Sequence, residues 1–192
     1  LGEDYVLSPK DLCSIDFIDR LIEAGIDSFK IEGRKRSPEY ISKVVAVYRK
    51  AIDLYFNGGL TQEIKNALTE ELRKVYNRGF SAGFYFGQPG SESFTATYGS
   101  IASTRKVFLG KVLNYYQKNN IAHIRLEAES LNSGDSIYII GNTTGVVELR
   151  LDSLKYDEKE FQHVQKGDEI TFVCAERVRP NDKVYKIVYL ET

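Results

Sequence analysis

Residues 27–34 read Asp-Ser-Phe-Lys-Ile-Glu-Gly-Arg and hold the side chains best suited to chemistry. Side chains alternate across an extended chain. Phe29 and Ile31 therefore share one face, and Ser28, Lys30 and Glu32 share the other. Charges gathered on a face that turns inward are costly unless they are paired or used. Gly33 permits a sharp turn, and the planar fork of Arg34 suits an anionic group. Lys30, Glu32 and Arg34 are the candidate catalytic residues, and Arg34 and Arg49 are the candidates for binding substrate. A plain ion pair between Lys30 and Glu32 on a solvated strand face explains the same pattern. Lys35 and Arg36 read as a surface basic cluster.

Two cysteines, Cys13 and Cys174, lie far apart in the sequence. That is too sparse for a disulfide framework and suits a reducing setting. A lone cysteine on an amphipathic helix is usually a small buried hydrophobe. Iron–sulfur clusters generally take four protein ligands, so Cys13 alone is weak evidence for a metal. Cys174 sits in a strand pattern and reads as core. His123 and His163 are the only histidines, and neither has a partner placed to suggest a triad. There is no H-E-x-x-H for zinc proteolysis and no G-x-S-x-G elbow. Gly141 to Gly145 reads as a hairpin turn rather than a phosphate loop, since it lacks the lysine and the following helix.

The elements that position these residues change period along the chain. Ser8-Pro9 predicts a helix start carrying Leu12, Ile15, Ile18, Leu21 and Ile22, closed at Ala24-Gly25. Ile26 to Glu32 predicts a short strand. Ser37-Pro38-Glu39 opens a long helix with Tyr40, Ile41, Val44, Val45, Tyr48, Ile52 and Tyr55 as its stripe, ended at Asn57-Gly58-Gly59. Thr61 or Thr69 caps a third helix with Leu68, Leu72 and Val75. Helix, strand, helix is a unit of α/β architecture. One strand makes no parallel sheet, so the rest of the sheet is expected outside this sequence. Residues 79–105 form a connector rich in Gly, Ser and Thr. Its rings, Phe80, Phe84, Tyr85, Phe86, Phe94 and Tyr98, predict packing onto a domain surface.

From Lys106 onward the period is two, as in half-buried strands: Val107-Leu109, then Ala122-Ile124-Leu126-Ala128. Ser133-Gly134-Asp135, Lys166-Gly167-Asp168 and Pro180-Asn181-Asp182 each predict a tight turn feeding a strand. Several short strands at this spacing predict a small closed antiparallel barrel. The fold class is thus α+β, divided into 1–78, the connector 79–105, and a β-barrel over 106–192.

With 192 residues, 42% hydrophobic and 28% charged, the composition is that of an ordinary globular protein. The net charge of -1 gives no overall basic field for DNA or an acidic membrane. No apolar run reaches the roughly 20 residues that span a bilayer, and no signal peptide is visible. A cytoplasmic protein without membrane or DNA partners is expected.

Ser8 to Cys13, Leu21 to Arg34, Tyr40, Tyr48 to Asp53 and Asn77 to Gly87 together resemble the peptidase U32 family, the collagenase-like proteases. The Lys-Ile-Glu-Gly-Arg stretch carries most of the likeness; the family usually has Met where Lys35 stands. The second half looks like the family's C-terminal extension and, through Thr143-Thr144-Gly145, Lys166-Gly167-Asp168 and Val184 to Lys186, like the second domain of elongation factor Tu. The resemblance implies a TIM-like α/β barrel of which this chain holds the last helix-strand-helix part. It also implies enzymes of two kinds: collagenase-like peptidases, and proteins that hydroxylate transfer RNA wobble uridine with prephenate required, or act in ubiquinone hydroxylation. Several such relatives hold a four-iron four-sulfur cluster, and Cys13 matches the last of its four cysteines.

Three functions follow as expectations. The parent is an RNA-modifying iron–sulfur enzyme, or a peptidase, or the β-barrel binds substrate or RNA while chemistry happens elsewhere. Partners would be transfer RNA or peptide, and the fragment alone would be inactive. A patch of Lys30, Arg34, Lys35, Arg36, Lys43 and Arg49 suits phosphates.

Overall fold

The computed structural model describes residues 9–96, 99–157 and 159–190. The chain divides into two compact units between Ser103 and Thr104. It is a mixed α/β structure, with the helices in the first unit and a large antiparallel sheet in the second.

The first unit opens with a short strand β1 (Asp11–Leu12), a 3-10 turn (Ile15–Phe17) and helix α1 (Ile18–Glu23). Ser8, the expected cap, lies outside the described residues. The helix expected from Pro9 begins only at Ile15, because Pro9 to Leu12 is taken up by non-local pairing. β1 runs parallel to β2 (Phe80–Ser81), Asp11 N–H donates to the Gly79 carbonyl at 2.9 Å, and Cys13 N–H donates to that of Ser81 at 3.0 Å. Gly25, at φ 81°, ends α1 as expected.

Helix α2 (Pro38–Phe56) starts at Ser37-Pro38, and α3 (Gln62–Arg73) is capped by Thr61, whose hydroxyl accepts the Ile64 N–H. Thr69 lies inside α3. Val44, Val47 and Ala51 form the buried stripe of α2, while Ile41 and Val45 are exposed. The expected stripe is therefore rotated on the helix. Small Ala51 had no hydrophobic bulk to mark it, yet it is fully buried. Ile15, Ile18, Val44, Val47, Ala51, Leu68, Leu72 and Val75 make one core.

Residues 79–103 belong to this unit. Asn77, buried, donates its amide to the carbonyls of Arg73 and Val75, accepts the Gly79 N–H at 3.1 Å, and its carbonyl accepts from Ile101. Tyr85 and Phe86 each lie 5.0 Å from Phe17, ring centre to ring centre. Phe84 is exposed, and Tyr98 lies outside the described residues.

The second unit contains β3 (Thr104–Tyr116), β4 (Ile121–Leu126), β5 (Leu131–Asn132), β6 (Ser136–Gly141), β7 (Gly145–Arg150), β8 (Leu154–Tyr156), β9 (Lys159–Phe161), β10 (His163–Val164), β11 (Glu169–Val173) and β12 (Lys183–Tyr189). Eight of them pair in the order β7-β6-β12-β3-β4-β11-β8-β9, and β5 pairs with β10. Among the described residues β7 and β9 are edges, so the ladder does not close through hydrogen bonds.

Alternation builds the core: Ala122, Ile124 and Leu126 of β4 and Ile170 and Phe172 of β11 point inward, with Leu109, Ile137, Ile139 and Val184. Cys174 packs there too. The three expected turns are built alike. Gly134, Gly167 and Asn181 adopt positive φ, at 90°, 99° and 70°. The next residue, Asp135, Asp168 or Asp182, accepts from the backbone N–H three positions earlier, each at 2.8 Å. β3 and β4 approach so closely at Gly110 that a Cβ there would lie 1.9 Å from the Arg125 carbonyl oxygen.

Candidate functional site

Residues 26–33 form no strand, against expectation. From Asp27 to Glu32 the backbone makes no hydrogen bond among the described residues. A strand exists only with a neighbour, and here there is none. The side-chain alternation survives: Phe29 and Ile31 pack on the helical core, while Ser28, Lys30 and Glu32 are exposed. No ion pair joins Lys30 to Glu32 among the described residues. The Glu32 carboxylate instead accepts the Arg34 backbone N–H at 2.8 Å.

These residues border a cleft of about 570 Å³. Its walls carry Lys30, Glu32 and Arg34 from the 27–34 segment, Cys13 and Asp11 from β1 and the residue after it, Arg36, Arg78, and the rings of Tyr40, Tyr48 and Tyr76. Four cationic side chains thus surround two carboxylates. Asp11 accepts the Arg78 backbone N–H at 2.9 Å and its guanidinium at 3.2 Å, and lies 3.7 Å from the Arg36 guanidinium. Arg36 stacks 3.9 Å over the Tyr76 ring. It is half-buried, which corrects its reading as plain surface; the Tyr76 ring, distant in sequence, was invisible locally. Lys35 is exposed at φ 59°.

Arg49 is not brought to the cleft. It lies on the exposed side of α2, paired with Asp53 at 3.2 Å. Lys43 faces Glu71 at 3.5 Å. Sequence reasoning missed Asp11, Tyr48 and Arg78 as site residues. All three stand inside the recognised stretches, which was the one signal available for them.

Cys13 is half-buried beside Tyr48, whose hydroxyl lies 4.0 Å from Sγ. Burial pushes the thiol's pKa up, against weaker opposing bonds from the Ile15 backbone and Tyr48. Burial also pushes the Tyr48 phenol up to about 12. Both groups are protonated near neutrality, and a thiol is a poor nucleophile. An iron–sulfur cluster needs four ligands. Among the described residues no three His, Cys, Asp or Glu side chains converge, and Cys174 belongs to the other unit. The described residues of this cleft therefore offer one cysteine ligand, Cys13, and do not by themselves make up the cluster's ligand set. Nor does any described helix have the length and apolarity to cross a membrane.

Residues 2–95 match the family model Peptidase family U32. The chain is 40% identical over 186 residues, 97% of its length, to a protein named Collagenase of Porphyromonas gingivalis, 45% of which is covered. It is 38% identical over 138 residues, 71% of its length, to "tRNA hydroxylation protein P1" of Bacillus subtilis, with 32% of that protein covered. The solved C-terminal domain of a Geobacillus thermoleovorans putative U32 peptidase aligns with a TM-score of 0.39 at 17% identity, over 41% of this chain and 90% of that one. The chain spans about half the length of the curated relatives it matches first.

Proposed function

This chain belongs to the peptidase U32 family, and on that premise we propose that the longer protein modifies RNA, hydroxylating a transfer RNA uridine. One observation carries the reading: the Cys13 thiol and the guanidinium groups of Arg34, Arg36 and Arg78 line the same cleft. Fixed guanidinium forks suit phosphate groups. In this proposal Arg34 and Arg78 hold the substrate's phosphates, Arg36 is held rigid by Tyr76, and Lys30 and Glu32 stand where a base would lie. Glu32 is the group able to accept a proton. Cys13 serves as one thiolate of a four-iron four-sulfur cluster, whose other ligands belong to the rest of the protein; the cluster would supply redox chemistry.

The first unit is, in this reading, the tail of a TIM-like barrel. The unpaired backbone of residues 27–32, apolar on the helix side and charged on the other, supports that. The second unit would be the small barrel, like the second domain of elongation factor Tu, and the setting cytoplasmic.

Mass spectrometry of transfer RNA nucleosides tests the function. A strain lacking the parent gene should lose hydroxyuridine, and Cys13→Ser and Arg34→Met alleles should fail to restore it. Unchanged nucleosides in the deletion strain would sink the proposal. A second reading, a collagenase-like peptidase, is favoured by the 40% identity over 97% of the chain to the protein named Collagenase. Gelatin cleavage by the pure parent protein, abolished by Glu32→Gln, would favour it. The 192-residue chain alone is expected to turn over neither substrate.

A further inference from the structure

The outer face of the second unit carries a row of three rings. Tyr116 at the end of β3 and His123 on β4 lie 6.5 Å apart with planes within 20°, and Tyr156 on β8 lies 6.4 Å from His123 on the other side. β11 runs between β4 and β8, and the residue it sets opposite His123 is Thr171, small enough to let Tyr156 reach across. The His123 ring is held at its edge by Glu169, with Nε2 3.0 Å from the carboxylate. Tyr116 and Tyr156 are 47% and 45% exposed. The inward residues of these strands fill the core, so this face turns to solvent.

Three exposed cations accompany the rings. Arg125 is two residues along β4 from His123, Lys155 precedes Tyr156, and Lys118 occupies the hairpin turn after Tyr116. None of the three forms an ion pair among the described residues. Successive π-faces flanked by unpaired positive charge match the two repeating groups of a single-stranded nucleic acid, bases and phosphates.

We propose that this face binds single-stranded RNA, stacking bases on Tyr116, His123 and Tyr156 and meeting phosphates with Lys118, Arg125 and Lys155. The choice of RNA rests on the RNA reading of the parent protein. The charge complementarity is independent of it, and disfavours a neutral Pro-rich peptide, which would use the rings alone.

Fluorescence anisotropy of the 192-residue chain with a labelled ten-nucleotide poly-uridine RNA tests the proposal. Tyr116→Ala and Tyr156→Ala are each expected to weaken binding about tenfold, since a base–ring stack is worth roughly 1–3 kcal/mol. Tyr116→Phe and Tyr156→Phe keep the rings and should bind as the unchanged protein does, which separates stacking from misfolding. The logarithmic salt slope should be about -2 for three phosphate contacts, falling by about 1.4 in the Arg125→Gln, Lys155→Gln double variant. No binding, or binding unaffected by both alanine changes, overturns the proposal. So does a gelatin peptide that binds equally well with the same dependence on the rings. Because the readout is binding by this chain, it succeeds or fails separately from the nucleoside assay on the parent.

Discussion

The Tyr48 hydroxyl stands 4.0 Å from the Cys13 sulfur and accepts the Ser14 backbone N–H at 3.0 Å, so one phenol clamps both the thiol and the turn that carries it. Burial raises the thiol's pKa and the Tyr48 bond opposes that rise. Tyr48→Phe is therefore expected to slow iodoacetamide alkylation of Cys13 at pH 8 by about twofold, from a weak bond worth ~0.5 kcal/mol. Peptide mass spectrometry separates Cys13 from Cys174. Faster alkylation in the variant would contradict this account of the thiol.

Lys65 of α3 is nearly buried, and its ammonium reaches Asp19 at 2.7 Å and the Asp16 carbonyl at 3.0 Å. Burial tends to raise the Asp19 carboxyl, but the bond from Lys65 and backbone N–H groups outweigh it and hold the pKa below the ordinary range. Asp19 is a third exposed, so Lys65→Met should cost less than a fully buried pair, about 2 kcal/mol in urea unfolding. A depressed folded pKa contributes stability above the ordinary carboxylate range, lost as pH falls through the folded value. The unchanged protein should lose that increment below about pH 4, and the Lys65→Met variant should show no such loss.

The three Asp turns are alike in backbone but not in burial. Asp168 is exposed and accepts one backbone N–H. Asp182 is buried, accepts from Arg179 N–H at 2.8 Å and from the Thr144 hydroxyl at 2.5 Å, and sits where Gly141 leaves room for it. Asp168→Ala should cost about 1 kcal/mol and Asp182→Ala about 2–3 kcal/mol in urea titrations. Equal costs would mean that burial does not set the difference.

Gly110 has no space for a methyl group, because the obstacle is backbone of the neighbouring strand rather than a movable side chain. Gly110→Ala is expected to cost about 3 kcal/mol or more, read as a lowered melting midpoint of the second unit. An unshifted midpoint would show that β3 and β4 separate there without penalty.

Local chemistry was legible from residue order. Ser37-Pro38 and Thr61 start their helices, and Gly134, Gly167 and Asn181 take the positive φ their turns need, because caps and turns are settled within a few residues. The facing of Phe29 and Ile31 was legible too, since alternation needs only an extended chain. Long-range pairing was not. Asp11 and Leu12 read as helical until β2 returned 69 residues later to pair with them, and Arg36 read as surface until Tyr76 lay beneath it.

Residue order alone thus determined the apolar face of residues 27–32 and of the strands of the second unit but not that of α2, where the chain turns, and the family to which its first half is similar. The tertiary structure decided that Cys13, Asp11, Arg34, Arg36 and Arg78 share one cleft while Arg49 does not, and that Tyr116, His123 and Tyr156 come together from β3, β4 and β8. The physical reason is the same for both. Hydrophobic periodicity reports how a segment meets its immediate core, whereas a site is assembled from segments whose contact depends on which distant partner satisfies their backbone and fills their side-chain gaps.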